Sequence, residues 1–135
     1  MISSFPLMAI ILIVYNGIVF GLGGSDTTWQ TEIFSVNMIS GASWVYTLGD
    51  LVISIGLFLL FLEILKATRV GRLSIIDHLL STLVLIAFLI EFLLFSSASN
   101  SIFFNLMLMA LIDVMAGFSV SIRSATRDVS LGDSL

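Results

Sequence analysis

The sequence has no cysteine, a single proline, a single histidine and few charged residues, which make up 10% of its 135 residues. Without cysteine the chain has neither a disulfide scaffold nor a thiolate metal site, and one histidine cannot supply two axial ligands to a haem. The low charge excludes a nucleic-acid binder and a disordered tail, because both depend on charge. The sequence also lacks a phosphate-binding loop and a nucleophile beside a base, so we expect no enzymatic activity and no cofactor.

Apolar side chains are what the sequence has in abundance. Hydrophobic residues make up 59% of the chain, and the mean hydropathy is +1.18. A soluble domain is about 45–50% apolar and about 25% charged, so this chain has too little polar surface to be covered in water. The composition therefore predicts an integral membrane protein whose first partner is the lipid bilayer.

Four apolar segments each approach the roughly 20 residues that a helix needs to cross the hydrocarbon core. The connections between the last three segments are short, which favours antiparallel neighbours. The absence of Lys and Arg from residues 1–6 argues against the alternative that the first segment is a secretory signal. We predict an all-α, four-transmembrane-helix up-down bundle forming one domain over 1–135, with spans at about 5–22, 50–67, 75–95 and 102–122, an outer loop at 23–49 and a tail at 123–135.

The basic residues are few and lie at one end of the predicted bundle. Cytoplasmic loops carry an excess of Lys and Arg, so this end is predicted to be cytoplasmic, with both termini inside. The layout resembles short four-span proteins of the bacterial inner membrane, and the absence of cysteine and of Asn-x-Ser/Thr sequons is compatible with that location. The five basic residues are Lys66, Arg69, Arg72, Arg123 and Arg127.

The long loop between the first two spans is too apolar for a solvated linker. Its segments 33–39 and 42–47 are rich in β-branched and aromatic residues, which predicts a β-hairpin with Ser40 and Gly41 as a two-residue turn. One apolar side is expected to lie on the outer ends of the helices. That turn would place Val36 opposite Val45 and Asn37 opposite Trp44.

A lone two-stranded hairpin is only marginally stable in water, so it needs a surface beneath it. That surface would be the membrane interface, the helix bundle or another protein chain. The hairpin, with Trp44 and Tyr46, is therefore the first candidate for a partner-binding element.

Two sequences ahead of predicted spans have the spacing of a capping box. These are Thr47 to Asp50 and Ser74 to Asp77, in which a hydroxyl accepts from a backbone N–H and a carboxylate sits at the positive end of the helix dipole. Capping is the favoured interpretation of both aspartates. Ion or proton binding is the alternative.

Glu63 and His78 are predicted at similar depths, about 6 to 8 Å from the inner boundary. One interpretation is a proton-relay or sensing cluster in which His78 titrates. The favoured one is a pair between Glu63 and Lys66, three residues apart on one helix, with His78 as a polar residue of the first turn. A cofactor shared between copies at His78 is a further alternative.

Three other polar residues lie toward the predicted outer surface. Glu91 and Asn105 fall at similar depth on the third and fourth spans. A hydrogen bond between them would hold the two helices together, or the pair would line the entrance of an ion path. Asn16 lies in the outer half of the first span.

Asp113 stands near the middle of the fourth span, among apolar or small residues. A charged group there is costly, by about 2.5 to 3.5 kcal/mol on insertion scales. Asp113 must therefore be protonated, be paired with another helix or chain, or face a wet cavity. Ser81 and Thr82 lie near its depth and are candidate hydrogen-bond donors.

Small residues at helical spacing predict tight helix packing. Gly17 and Gly21 form one GxxxG pair, and Gly117 forms a weaker pair with Ser121. The spacing leaves open whether this packing occurs within the bundle or between copies.

Two functions remain compatible with the sequence. The first is a non-catalytic accessory or structural subunit of a larger membrane complex or homo-oligomer. The second is a small proton- or ion-coupled transporter or channel, with Asp113 as the intramembrane site and Glu63, Glu91 and His78 on the path. A bundle of four short helices would have to oligomerise to enclose such a path.

Overall fold

The chain is mostly helical. The computed structural model describes residues 5–68 and 72–133, and side chains over 5–68 and 75–119, so the side chains of four of the basic residues used for the orientation prediction (Arg69, Arg72, Arg123 and Arg127) lie outside the described set. The elements in chain order are α1 (Leu7–Leu22), α2 (Asp26–Trp29), β1 (Glu32–Asn37), β2 (Ser43–Thr47), α3 (Leu48–Ala67), α4 (Arg72–Leu94), a 3-10 turn (Ser96–Ala98) and α5 (Ser101–Asp133).

Helix α5 packs against both α3 and α4, and α1 packs mainly against α3. Consecutive long helices run in opposite directions, so the start of α1 lies beside the end of α3. We call the end of the bundle that holds Leu7 and Ala67 the Lys66 end, and the end that holds Leu22 and Leu48 the hairpin end.

The core lies between the long helices and is almost entirely apolar. Small residues allow helices without polar faces to approach closely. A Cβ at Gly56 of α3 would lie 2.8 Å from Leu106 Cδ2 and 2.9 Å from the Met109 sulfur, so this glycine sets the close contact between α3 and α5. The fully buried large side chains are Met8, Ile11, Tyr15, Val52, Phe88, Phe103 and Leu106.

The outward faces of the helices are also apolar. Phe58 of α3 is 62% exposed and Leu83 of α4 is 60% exposed, and many similar side chains surround them. Monomeric soluble proteins rarely expose such large apolar patches. Three helical segments are long and apolar enough to cross a membrane, namely Leu48–Ala67, Ile75–Leu94 and Ser101–Ser119, which indicates a membrane-associated protein.

The predicted first span is shorter than expected. Helix α1 has 16 residues, which corresponds to about 24 Å against a hydrocarbon core of about 30 Å. Pro6 precedes the helix with extended backbone, and Gly23, at φ 92°, ends it in the left-handed conformation. The structure therefore supports three full-length spans and one shorter apolar helix.

The predicted helix start after Ser74 is also wrong, while the other predicted capping box is confirmed. The Thr47 side chain accepts from the backbone of Asp50, and the Asp50 carboxylate accepts from the backbone N–H of Thr47 at 3.0 Å. Helix α4 begins at Arg72, so Ser74 lies inside the helix and cannot be its N-cap. Helix α5 continues to Asp133, so residues 123–133 of the predicted tail are helical.

The predicted hairpin is present, but its register differs by one residue. Val36 pairs with Trp44, and Asn37 pairs with Ser43. The loop has three residues, because Met38 N–H donates to Ala42 O at 2.8 Å outside it. Gly41, at φ 91°, takes the left-handed conformation that such a loop requires. The sequence Ser-Gly alone could not distinguish a two-residue turn from this longer one.

The hairpin does not lie on the ends of the helices as predicted. All six residues of β1 and the first three of β2 are exposed. Only the end of β2 turns back along the bundle, where the Tyr46 hydroxyl lies 2.6 Å from Ser54 Oγ on the outer face of α3. The observed register puts Phe34, Trp44 and Tyr46 on one face of the hairpin.

Candidate functional site

A small buried cavity lies at the Lys66 end, between α3, α4 and α5. Its volume is about 10 Å³, close to the space that one water molecule occupies. The residues with polar side chains in its lining, which we call the polar cluster, are Glu63, Lys66, Asp77, His78, Ser81 and Asp113.

Glu63 links α3 to the start of α1. Its side chain is buried, and Oε2 accepts from the backbone N–H of Leu7 at 2.9 Å and from Lys66 Nζ at 3.4 Å. Lys66 Nζ also donates to Phe5 O at 2.6 Å. The carboxylate thus sits at the positive end of the α1 dipole. The structure shows the expected pair of Glu63 and Lys66 and adds the helix end that it caps.

Asp113 is buried in α5, with 5% of its surface exposed. Ser81, one of the two donors that the sequence suggested, lines the same cavity and lies beside Asp113. Thr82, the other candidate, donates to the backbone carbonyl of its own helix at His78 instead. Glu63, Lys66 and Asp77 lie close enough to interact with the charge of Asp113.

His78 and Gly117 are in direct contact across the α4–α5 interface. A Cβ at Gly117 would lie 2.5 Å from His78 Nδ1, so no larger residue fits there unless the imidazole moves. The imidazole also stacks on Phe118, with ring centroids 5.7 Å apart. Gly117 therefore serves packing within the bundle, which the sequence had left open.

Asp77 is the member of the cluster that sequence reasoning assigned to a different role. It lines the cavity from α4, and its Oδ1 atom is buried with no hydrogen-bond partner within the described structure. The sequence does indicate that Asp77 and Ser81 belong together, because residues four apart share one face of a helix. Assigning Asp77 to a capping box after Ser74 hid this relation.

Glu91 lies outside the polar cluster. It accepts a hydrogen bond from Asn16 Nδ2 of α1 at 2.8 Å, so its predicted pairing with Asn105 is wrong. Asn105 is exposed on the outer side of α5, between the buried neighbours Phe103 and Leu106. Depth estimates had placed Glu91 and Asn105 level with each other, but depth does not fix the rotation of a helix about its axis.

A second polar network at the hairpin end joins α1 to the α4–α5 turn. The Tyr15 hydroxyl donates to Ser97 O at 2.7 Å and accepts from Asn100 Nδ2 at 2.6 Å. Asn100 Oδ1 accepts from the backbone N–H of Phe103, which caps α5. The Tyr15 ring stacks on Trp29 of α2 at a centroid distance of 4.7 Å. Sequence reasoning did not find this network, because its members are far apart in the chain.

An apolar layer separates the polar cluster from the Asn16–Glu91 pair. His78 and Glu91 are thirteen residues apart on α4, or about 20 Å along the helix. The side chains of Val84, Phe88 and Met109 are buried between these levels. Within the described part of the chain, Glu91 therefore does not continue a polar path from Asp113.

The remaining predicted packing residues face outward. A Cβ at Gly17 or at Gly21 would meet nothing within 4 Å, so this GxxxG pair is not used inside the described bundle. Trp44 and Tyr46 form a three-ring group with Phe34 on one face of the hairpin, with centroids 4.8 to 5.8 Å apart. We call these three residues the aromatic face.

A wide cleft of about 460 Å³ opens beside the base of the hairpin. It lies between α2, the start of α3 and the α4–α5 turn, and its polar side chains include Asp26, Gln30, Asp50 and Asn100. The sequence gave no sign of this cleft, because three separate segments form it.

Among the described residues, no group of three histidine or acidic side chains is arranged to hold a metal ion. The comparisons give no further guide, since no protein-family model, no curated protein and no solved structure matches this chain. The arrangement of its own residues must therefore carry the functional argument.

Proposed function

We propose that this protein is a non-catalytic accessory subunit that crosses the bilayer four times and binds another membrane protein through its hairpin end. The observation that carries the proposal is the aromatic face, in which Phe34 and Trp44 are exposed while Tyr46 contacts α3. Phe34 is 43% exposed and Trp44 is 48% exposed. Tyrosine and tryptophan are enriched at protein interfaces, where they supply much of the binding energy.

Four crossings place the hairpin at one membrane surface. Helix α1 is held to α3 at the Lys66 end by Glu63 and to the α4–α5 turn at the hairpin end by Tyr15. A short apolar helix fixed at both ends in this way can span if the bilayer thins locally. The proposed orientation, with both termini cytoplasmic in a bacterial inner membrane, puts the hairpin outside.

The adjacent cleft supports docking at this end. A partner that covers the aromatic face would also reach the cleft, because both adjoin the start of α3. Its polar lining provides hydrogen-bonding groups next to an apolar contact, which is the usual composition of an interface. A different membrane subunit with an apolar patch at the bilayer surface fits this surface. A second copy of the chain is the competing outcome.

Purification from native membranes in mild detergent tests the proposal, with the mass of the intact particle and its components as the readout. Trp44→Ala is the test variant, and Val45→Ala is the matched control, because Val45 lies in the same strand, is 43% exposed and points to the opposite face. We expect Trp44→Ala to lower partner recovery at least ~10-fold, as loss of an interface anchor does. Equal recovery from both variants would remove the aromatic face as a docking site.

The absence of native cysteine gives a direct test of the orientation. Ile39 at the hairpin tip is fully exposed, and Thr68 at the Lys66 end is exposed. In intact cells, a membrane-impermeant maleimide should label Ile39→Cys, and it should label Thr68→Cys only after permeabilisation. The reverse pattern would overturn the proposed orientation.

A second candidate function is proton- or ion-coupled transport at Asp113. The observation in its favour is that Glu63, His78 and Asp113 line one cavity. The apolar layer next to Phe88 weighs against a path through a single chain. Purified protein that proves to be a homo-oligomer, with an Asp113-dependent ion flux in vesicles, would establish transport instead of the accessory role.

A further inference from the structure

We infer that the polar cluster is a proton-binding site, in which a single water molecule shares one proton between Asp77 of α4 and Asp113 of α5. The inference goes beyond the accessory role and does not depend on it, because a site inside one chain can bind a proton whether or not a partner is docked. It also differs from transport, because it requires access from one side only.

Counting charges around the cavity gives the first argument. Its described lining contains three carboxylates, from Glu63, Asp77 and Asp113, and one lysine, Lys66. Among the described lining residues, His78 is the only other titratable side chain. Carboxylates that share one site repel each other when all are ionised, so a proton held between two of them is favourable.

The hydrogen bonds show which carboxylates share that proton. Glu63 already has two donors, the Leu7 N–H and Lys66 Nζ. Asp113 accepts no hydrogen bond from a backbone N–H or a cation among the described contacts, and Asp77 Oδ1 is buried without a partner in the described structure. The shared proton is therefore assigned to Asp77 and Asp113 rather than to Glu63.

The size of the cavity identifies the bridging group. About 10 Å³ matches one water molecule, for which a site needs about 10–15 Å³ and two to four polar partners. Such a water donates to Asp77 Oδ1 and contacts Asp113, which satisfies the one buried oxygen left without a protein donor. The space is too small for a hydrated sodium ion.

Access to this site is from the Lys66 end. Asp77 is partly exposed and lies near the start of α4, whereas Asp113 is buried one layer deeper. Beyond Asp113 the bundle is closed by Val84, Phe88 and Met109. The proton therefore exchanges with the solution on one side of the membrane, and the site reports the pH of that side.

Infrared spectroscopy of the purified full-length protein tests the inference, because a protonated carboxyl gives a carbonyl stretch that a carboxylate lacks. We expect the wild-type band to persist at neutral pH and to disappear on raising the pH. Asp113→Asn should abolish it, and Asp77→Asn should abolish it or shift it by removing the shared proton. The matched control is Asp26→Asn, at an exposed aspartate outside the cluster, which should leave the band unchanged.

The outcomes separate the possible occupants. Absence of a band at neutral pH, or a band unaffected by both cluster variants, would overturn the inference. A band that sodium chloride removes at constant pH, while choline chloride does not, would show that the site takes a sodium ion instead. Should Asp113→Asn fail to fold, Asp77→Asn decides the question, because Asp77 is partly exposed and lies outside the apolar core.

Discussion

Replacing Gly117 with alanine tests the packing between α4 and α5 at the cluster. The added methyl would lie 2.5 Å from His78 Nδ1 and 2.6 Å from Cε1, well inside van der Waals contact. The imidazole also stacks on Phe118, so it cannot move without losing that contact. Forcing an extra methyl into a well-packed interior costs about 1–3 kcal/mol.

Gly17→Ala is the matched control, because a methyl at Gly17 would meet nothing within 4 Å. Both glycines lie inside helices, where alanine is favoured over glycine by about 1 kcal/mol. Gly17→Ala should therefore stabilise the fold by about 1 kcal/mol. Gly117→Ala combines the same gain with the steric cost, so it should be destabilised by up to about 2 kcal/mol.

The assay is unfolding of the purified protein from mild detergent by a denaturing one, followed by far-ultraviolet circular dichroism. The difference between the two variants isolates the steric cost, which we expect at about 1–3 kcal/mol. Equal stability of Gly117→Ala and Gly17→Ala would refute the close contact of His78 with α5. A large loss in Gly17→Ala would instead show that the outward GxxxG face is covered.

Three further predictions follow from the polar contacts. Tyr15→Phe should lower the free energy of unfolding by about 1–3 kcal/mol, because its hydroxyl bonds the part-buried Ser97 and Asn100; a loss no larger than that of Tyr46→Phe, whose hydroxyl bonds the exposed Ser54, would contradict this. Asp50→Ala should cost about 1 kcal/mol and speed amide exchange in the first turn of α3, and unchanged exchange would argue against the capping box. Asp113→Asn should leave the particle mass by gel filtration unchanged, since an amide resembles a protonated acid; dissociation would show an ionised role in assembly.

Side-chain type and local spacing were enough to predict much of the fold. The long apolar segments predicted three of the helices to within a few residues at their starts, and the Thr47–Asp50 spacing predicted the capping box. Enrichment in β-branched and aromatic residues on both sides of Ser40 and Gly41 predicted the hairpin. These features depend on neighbours in the sequence, so the sequence carries the information directly.

Helix depth, in contrast, was a poor guide to partners. It suggested Glu91 with Asn105, yet Glu91 faces Asn16, because helix rotation decides which side chains meet. It placed Glu63 level with His78, and Asp113 level with Ser81, without showing that all four line one cavity with Asp77. The hairpin register failed for a related reason, since a one-residue difference in loop length changes every cross-strand pair.

The sequence by itself determined that this chain is apolar, helical and suited to a membrane, because composition and periodicity decide where backbone hydrogen bonds and apolar surface go. Only the tertiary structure decided which polar groups share a cavity. Three helices bring Glu63, Asp77 and Asp113 together, whereas Phe34 and Trp44 of the aromatic face stay outside the bundle. Both arrangements depend on rotation and register, which are settled by packing of whole elements rather than by any local pattern.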